Sequence, residues 1–106
     1  MTDYVTIGTT DELQPGDPPI VVEVGERWVA IFNVDGKYCA IDDVCTHDGG
    51  PLAEGEQTGN VIACPRHGAK FDVCTGKVLS APAYTDVTAY EVRVEGNEIQ
   101  LGPAKQ

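Results

Sequence analysis

The sequence predicts an all-β domain built from more than one small antiparallel sheet. Alternating apolar runs of strand length recur along it, turn dipeptides separate them, and no long segment carries the 3.6-residue period of a helix. Gly, Pro and Asp punctuate all 106 residues, the texture of short strands joined by tight turns. A chain of this length supports one modest core, so residues 1–106 read as a single domain.

Taken in order, Thr9-Thr10-Asp11-Glu12-Leu13 caps no more than one helical turn before Pro15-Gly16. Pro19 to Val24 is a first strand, joined through Gly25-Glu26 to the alternating run Arg27 to Val34. Asp35-Gly36 then supplies a type I′ turn, in which both central residues need positive φ, and leads into Lys37 to Ile41. These three runs form a meander. Near the C-terminus Thr88 to Val94 alternates with period two, turns at Glu95-Gly96-Asn97 and returns as Glu98 to Leu101. The middle is different: Asp42 to Gly59 has almost no strand propensity and holds Gly49, Gly50, Pro51, Gly55 and Gly59, before a short strand from Asn60 to Ala63. A loop of this length in so small a domain is usually functional or disordered.

Charge and histidine content narrow the chemistry. With 17 acidic and 7 basic side chains, the net charge of -10 repels phosphate backbones and anionic lipid, and favours basic protein surfaces. Two histidines are too few for a three-histidine zinc hydrolase, and a mononuclear iron oxygenase would need both. No run approaches the roughly 18 apolar residues of a membrane span. The start, M-T-D-Y-V-T, has an acid where a secretory signal would be basic, so a soluble cytoplasmic protein is expected. In that compartment four cysteines argue for metal ligands or buried thiols ahead of disulfides.

Cys45-Thr46-His47 opens the long loop, and Cys64-Pro65-Arg66-His67-Gly68 follows the short strand. The pattern is C-x-H, 16 intervening residues, then C-x-x-H. Each half offers one thiolate and one imidazole, so two adjacent loops would present two sulfurs and two nitrogens. That donor set suits a two-metal [2Fe-2S] cluster, with Cys45 and Cys64 on one iron and His47 and His67 on the other. A structural zinc site is the alternative, although zinc fingers usually pair like with like, C-x₂₋₄-C and H-x₃₋₅-H.

At these positions the sequence resembles the Rieske iron-sulfur family. Cys45-Thr46-His47-Asp48-Gly49-Gly50-Pro51-Leu52, Gly55, Cys64-Pro65-Arg66-His67-Gly68, Phe71-Asp72, Thr75-Gly76 and Pro82-Ala83 are similar to the family's CTHxGxxL, CPxHG, FD, TG and proline-loop elements, in order. The resemblance runs from about Tyr4 to Leu101. It implies a Rieske-type domain of small antiparallel sheets, with one [2Fe-2S] cluster held at the tip by two loops in a part spanning about 42–83. It also implies one-electron transfer.

Two departures from subgroups of the family carry information. Respiratory and photosynthetic members have an extra cysteine in each ligand loop, joined as a disulfide; Gly50 and Arg66 stand there in this chain. Cys39 and Cys74 lie outside both loops and are expected as small buried hydrophobes, not as a pair. High-potential members carry a serine and a tyrosine that donate to cluster and ligand sulfur; here those positions are Ala69 and Phe71. Without those donors the potential should fall toward the low end of the family, on the order of -150 mV. It should still exceed that of an all-cysteine cluster, since two thiolates neutralise the oxidised core whereas four leave it a dianion.

With both histidines committed, no nucleophile and base stand out, and the chain reads as a carrier and not an enzyme. It is most similar to the small soluble Rieske ferredoxins that pass electrons from a flavoprotein NAD(P)H reductase to a terminal oxygenase in aromatic-ring dioxygenase systems, and it is expected to be a monomer. The alternatives are the Rieske small subunit of a larger oxidoreductase, such as an NADH-dependent nitrite reductase, and a zinc-stabilised binding module. Asp42, Asp43, Asp48, Glu54 and Glu56, with no Lys or Arg among them, are either a solvated loop or a docking patch for basic partners, offset by Arg66 and Lys70.

Overall fold

In a computed structural model, which describes residues 4–46, 49–65 and 68–105, nine strands form two antiparallel sheets. The strands are β1 (Val5–Thr9), β2 (Ile20–Val24), β3 (Arg27–Val34), β4 (Lys37–Asp42), β5 (Glu56–Thr58), β6 (Val61–Ala63), β7 (Lys70–Asp72), β8 (Ala89–Glu95) and β9 (Glu98–Ala104). One sheet has the order β1-β9-β8-β4-β3-β2, the other β5-β6-β7.

The expected meander is β2-β3-β4. Its second turn places both Asp35 (φ 51°) and Gly36 (φ 92°) in the left-handed region, as a type I′ hairpin requires. At the first turn Val24 pairs with Arg27, and Gly25 carries the positive φ. The last hairpin is tighter than expected: β8 runs on to Glu95, which pairs with Glu98, leaving a two-residue turn at Gly96-Asn97. The segment after Thr9 makes one 3₁₀ turn, Thr10–Glu12, with the Glu12 carboxylate accepting from the Thr9 N–H at 2.8 Å.

Three strands lie outside the sequence expectation. β1 pairs with β9 across almost the whole chain, and β5 and β7 are three-residue strands on either side of β6. None has a local pattern strong enough to announce itself.

β3 is buried on both faces because each face of the large sheet carries a core. Val29 and Ile31 pack with Leu13, Ala40, Tyr90, Ile99 and Leu101. Ala30 and Phe32, one residue out of phase, join Cys39 and Ile41 of β4 in a second core with Leu52, Ile62, Ala69, Phe71 and Val73. Complete burial of an aromatic such as Phe32 or Phe71 is worth about 2–3 kcal/mol. The buried amide of Asn33 is satisfied, donating to the Leu13 carbonyl at 3.0 Å and accepting from the Gly36 N–H at 2.7 Å.

β8 pairs directly with β4, Ala40 with Tyr90 and Ile41 with Ala89. Residues 43–88 therefore leave the large sheet and return to it at neighbouring points, and the Asp42 N–H donates to the Thr88 carbonyl at 2.9 Å. Everything the sequence singled out as a candidate ligand lies on this excursion.

Candidate metal centre

Three loops of the excursion share one backbone design. In the first, the Cys45 N–H donates to the Gly50 carbonyl at 2.7 Å while the Gly49 N–H donates to the Cys45 carbonyl at 2.7 Å. In the second, the Cys64 N–H donates to the Ala69 carbonyl at 2.7 Å and the Gly68 N–H to the Cys64 carbonyl at 2.9 Å. In the third, Asp72 takes the leading position, with Gly76 and Lys77 as partners at 2.8 and 2.9 Å. The glycine four residues on has φ of 78°, 76° and 79° in turn, a left-handed conformation that disfavours any side chain.

The leading side chain is what differs between the loops. In the third loop Asp72 Oδ1 accepts from the N–H groups of Cys74 (2.8 Å) and Thr75 (3.1 Å), and Oδ2 accepts from Asn60 at 2.8 Å. In the other two loops a cysteine stands in that position. Cys45 and Cys64 are 1% and 2% exposed and belong to the same core, with Ala69 and Phe71 fully buried among them. Two soft sulfur donors withheld from water, each on a loop closed by paired hydrogen bonds, fit one half of an iron-sulfur donor set. His47 and His67, the proposed nitrogen donors, lie outside the described residues, as do Asp48 and Arg66.

Further contacts hold these loops in place. Asp43 Oδ1 accepts from the Ala53 N–H at 2.7 Å and so closes the first loop at its base. Thr46 Oγ1 donates to the Thr85 carbonyl at 2.6 Å, joining the first loop to the segment after Pro82, which follows a cis peptide bond. Gly55 packs so tightly on the strand leading to Cys64 that a Cβ there would lie 1.8 Å from the Ala63 carbonyl oxygen. Gly55 is thus a packing requirement between the Cys45 and Cys64 loops.

The expectation for the acids from Asp42 to Glu56 divides. Asp43 is occupied as above. Asp42, on β4, accepts from the Tyr90 hydroxyl at 2.5 Å, and Arg27 donates to the same hydroxyl at 2.8 Å with Asp42 Oδ2 3.5 Å away. Burial, and then the Asp42 carboxylate, raise the Tyr90 phenol above its ordinary value. Glu54 and Glu56 are exposed and remain available to a partner; Lys70 is exposed as well.

Cys39 and Cys74 correct the sequence reading. They form a disulfide, with Cα atoms 4.8 Å apart and a sequence separation of 35. β4 carries Cys39 into the core beside the loop headed by Asp72, and that loop turns Cys74 back onto it. Spatial juxtaposition decided the pairing, where the compartment argument had pointed to separate thiols. The signal within reach of sequence reasoning was the even pair of cysteines left after the ligands were assigned.

Comparison with known proteins agrees with the geometry. The Rieske [2Fe-2S] domain family matches residues 3–91. The ferredoxin component of naphthalene 1,2-dioxygenase/salicylate 5-hydroxylase systems from a Ralstonia species is 33% identical over 99 residues, covering 93% of this chain and 94% of that one. The biphenyl dioxygenase ferredoxin subunit of Pseudomonas sp. strain KKS102 is 41% identical over 92 residues, covering 86% and 84%. Among solved structures, the ferredoxin of carbazole 1,9a-dioxygenase from Nocardioides aromaticivorans IC177 gives a TM-score of 0.89 at 33% identity, covering 94% of this chain and 97% of its own. A chain from the complex of reduced oxygenase and oxidized ferredoxin in carbazole 1,9a-dioxygenase gives 0.90 at 33% identity, covering 97% and 96%.

Proposed function

Because the chain belongs to the Rieske [2Fe-2S] family, we propose that it is a one-electron carrier, taking electrons from an NAD(P)H-dependent flavoprotein reductase and delivering them to a terminal oxygenase. It is the ferredoxin component of a multicomponent system and not its catalyst, as its relatives are named. The observation that carries this reading is the pair of buried thiols, Cys45 and Cys64, at the heads of two loops of one design.

In this reading Cys45 and Cys64 hold one iron of a [2Fe-2S] cluster, and His47 and His67 hold the other. Bound there, the cluster supplies reversible acceptance of a single electron. The protein's part is to fix its loops beforehand. Asp43 and Thr46 pin the first loop, Gly55 sets the second against it, and the surrounding core excludes water. Ala69 and Phe71 offer no hydroxyl to a sulfur, which keeps the potential low and suits a carrier that must reduce an oxygenase. Among the described residues no helix is long and apolar enough to cross a membrane, and the cytoplasm is the proposed location.

The test is anaerobic purification followed by electron-transfer assay. The expected protein is red-brown, is reduced by a flavoprotein reductase with NADH, and is reoxidised by a terminal oxygenase. A colourless zinc protein would overturn the assignment, and tight co-purification with a large flavin or haem subunit would make it a bound subunit instead.

A further inference from the structure

The Cys39–Cys74 bond joins parts of the molecule that the chain itself joins only at Asp43 and Thr88, the two ends of the excursion. Cys39 belongs to β4 of the large sheet, and Cys74 to the loop that follows β7 of the small one. The bond lies in the core that also contains Cys45, Cys64, Ala69 and Phe71. It is a covalent clasp between the base of the domain and the unit that carries the candidate ligands.

The two sulfurs are not equivalent. Cys39 is 2% exposed, whereas Cys74 is only partly buried, between the fully buried Val73 and the exposed Thr75, with the partly buried Val78 packed on the same core. The Lys105 ammonium donates to the Cys74 carbonyl at 2.7 Å, placing a positive charge where an anionic thiolate would approach. An external thiolate therefore meets Cys74 first, and Cys39 is the sulfur that leaves.

We propose that this disulfide is a second redox site, which exchanges with a protein dithiol and whose opening loosens the chain's hold on its cluster; the second half rests on the function proposed above. In the exchange, one thiolate of the dithiol attacks Cys74 Sγ and the Cys39–Cys74 S–S bond breaks. Cys39 departs as a thiolate and takes up a proton. The partner's second thiolate then attacks its own sulfur in the mixed disulfide, releasing Cys74, which is protonated in turn. The disulfide gains two electrons and two protons, and the dithiol becomes a disulfide. The open form keeps its packing but loses the clasp behind Phe71 and the Cys64 loop.

The test treats anaerobic holoprotein with a thioredoxin-class dithiol protein kept reduced by its reductase, then alkylates under native conditions and maps each cysteine by peptide mass spectrometry. Cluster absorbance is followed in parallel. Cys39 and Cys74 should become alkylated only after dithiol treatment, and the rate of cluster loss should rise about tenfold. The variant Cys39→Val with Cys74→Ser should lose its cluster at the faster rate whether or not dithiol is added. If Cys39 and Cys74 stay unmodified under native conditions, or become modified with no change in cluster loss, the proposal falls. Alkylation of Cys45 and Cys64 before treatment would instead overturn the ligand assignment, while exchange at Cys39 and Cys74 would still be read.

Discussion

The loops headed by Cys45 and Cys64 and the loop headed by Asp72 have the same backbone and different chemistry. In each, two hydrogen bonds close the turn around the leading residue and a left-handed glycine follows four positions on. Asp72 spends its carboxylate on the turn's own N–H groups and on Asn60, so that loop is complete as built. The cysteines offer a larger, softer acceptor in the same setting, one able to bind iron while the backbone stays as it is. The turn is a generic support, and the identity of its first side chain decides whether it caps its own backbone or presents a buried thiol.

That comparison can be broken most completely at its leading positions. Cys64→Ser should abolish the visible absorbance of the purified protein, whereas Asp72→Asn should retain it with a lower melting temperature; equal loss of colour in both would mean the loops are not separable by role. Next in size is the clasp on the third loop. Replacing Cys39 and Cys74 removes a cross-link spanning 35 positions, which should cost about 4 kcal/mol in denaturant unfolding.

The glycines test whether the loops differ in their surroundings. At Gly49 a Cβ meets nothing within 4 Å among the described residues, so Gly49→Ala should cost only the left-handed conformation, about 1 kcal/mol. At Gly76 it would lie 2.0 Å from the Val87 carbonyl oxygen, and Gly76→Ala should cost about 3 kcal/mol or more by thermal unfolding. Similar costs at the two sites would contradict the packing described.

Smaller effects concern tuning. Ala69→Ser with Phe71→Tyr supplies two hydroxyls beside the Cys64 loop and should raise the potential by on the order of tens of millivolts in voltammetry. Far from the loops, Tyr90→Phe should cost about 1 kcal/mol at neutral pH. The folded chain favours the Tyr90 phenol over its phenolate, so this contribution is fully present below the ordinary tyrosine value of 10.0 and is lost as pH rises through the higher folded value. Unfolding curves of the variant should accordingly lack that part of the alkaline decline.

The pattern of what could be read from sequence follows the range of the forces involved. β3, β4 and their turn were legible because alternation and Asp-Gly act over a few residues. β1 was not, since it is defined by a partner some ninety positions away, nor was β5, three residues that owe their strand to β6. The ligand spacing named Cys45 and Cys64, and the fold brings both into one core. The disulfide escaped because its cause is the meeting of β4 with the Asp72 loop, which nothing near Cys39 or Cys74 encodes. Charge was legible as a count but not as a location: Asp42 and Asp43 look like docking acids in the sequence, and their oxygens are committed to Tyr90, Arg27 and Ala53.

The pairing of β4 with β8 makes the excursion a cassette. Its two ends emerge from adjacent strands already hydrogen-bonded to each other, so the register at the junction is set within the large sheet, while Ala30, Phe32 and Ile41 still need the apolar cover that residues 43–88 supply. Such an attachment lets the exposed loop tips be exchanged, lengthened or retuned for another partner as long as the buried residues beneath them are kept, and makes this boundary the natural place to graft a foreign redox tip.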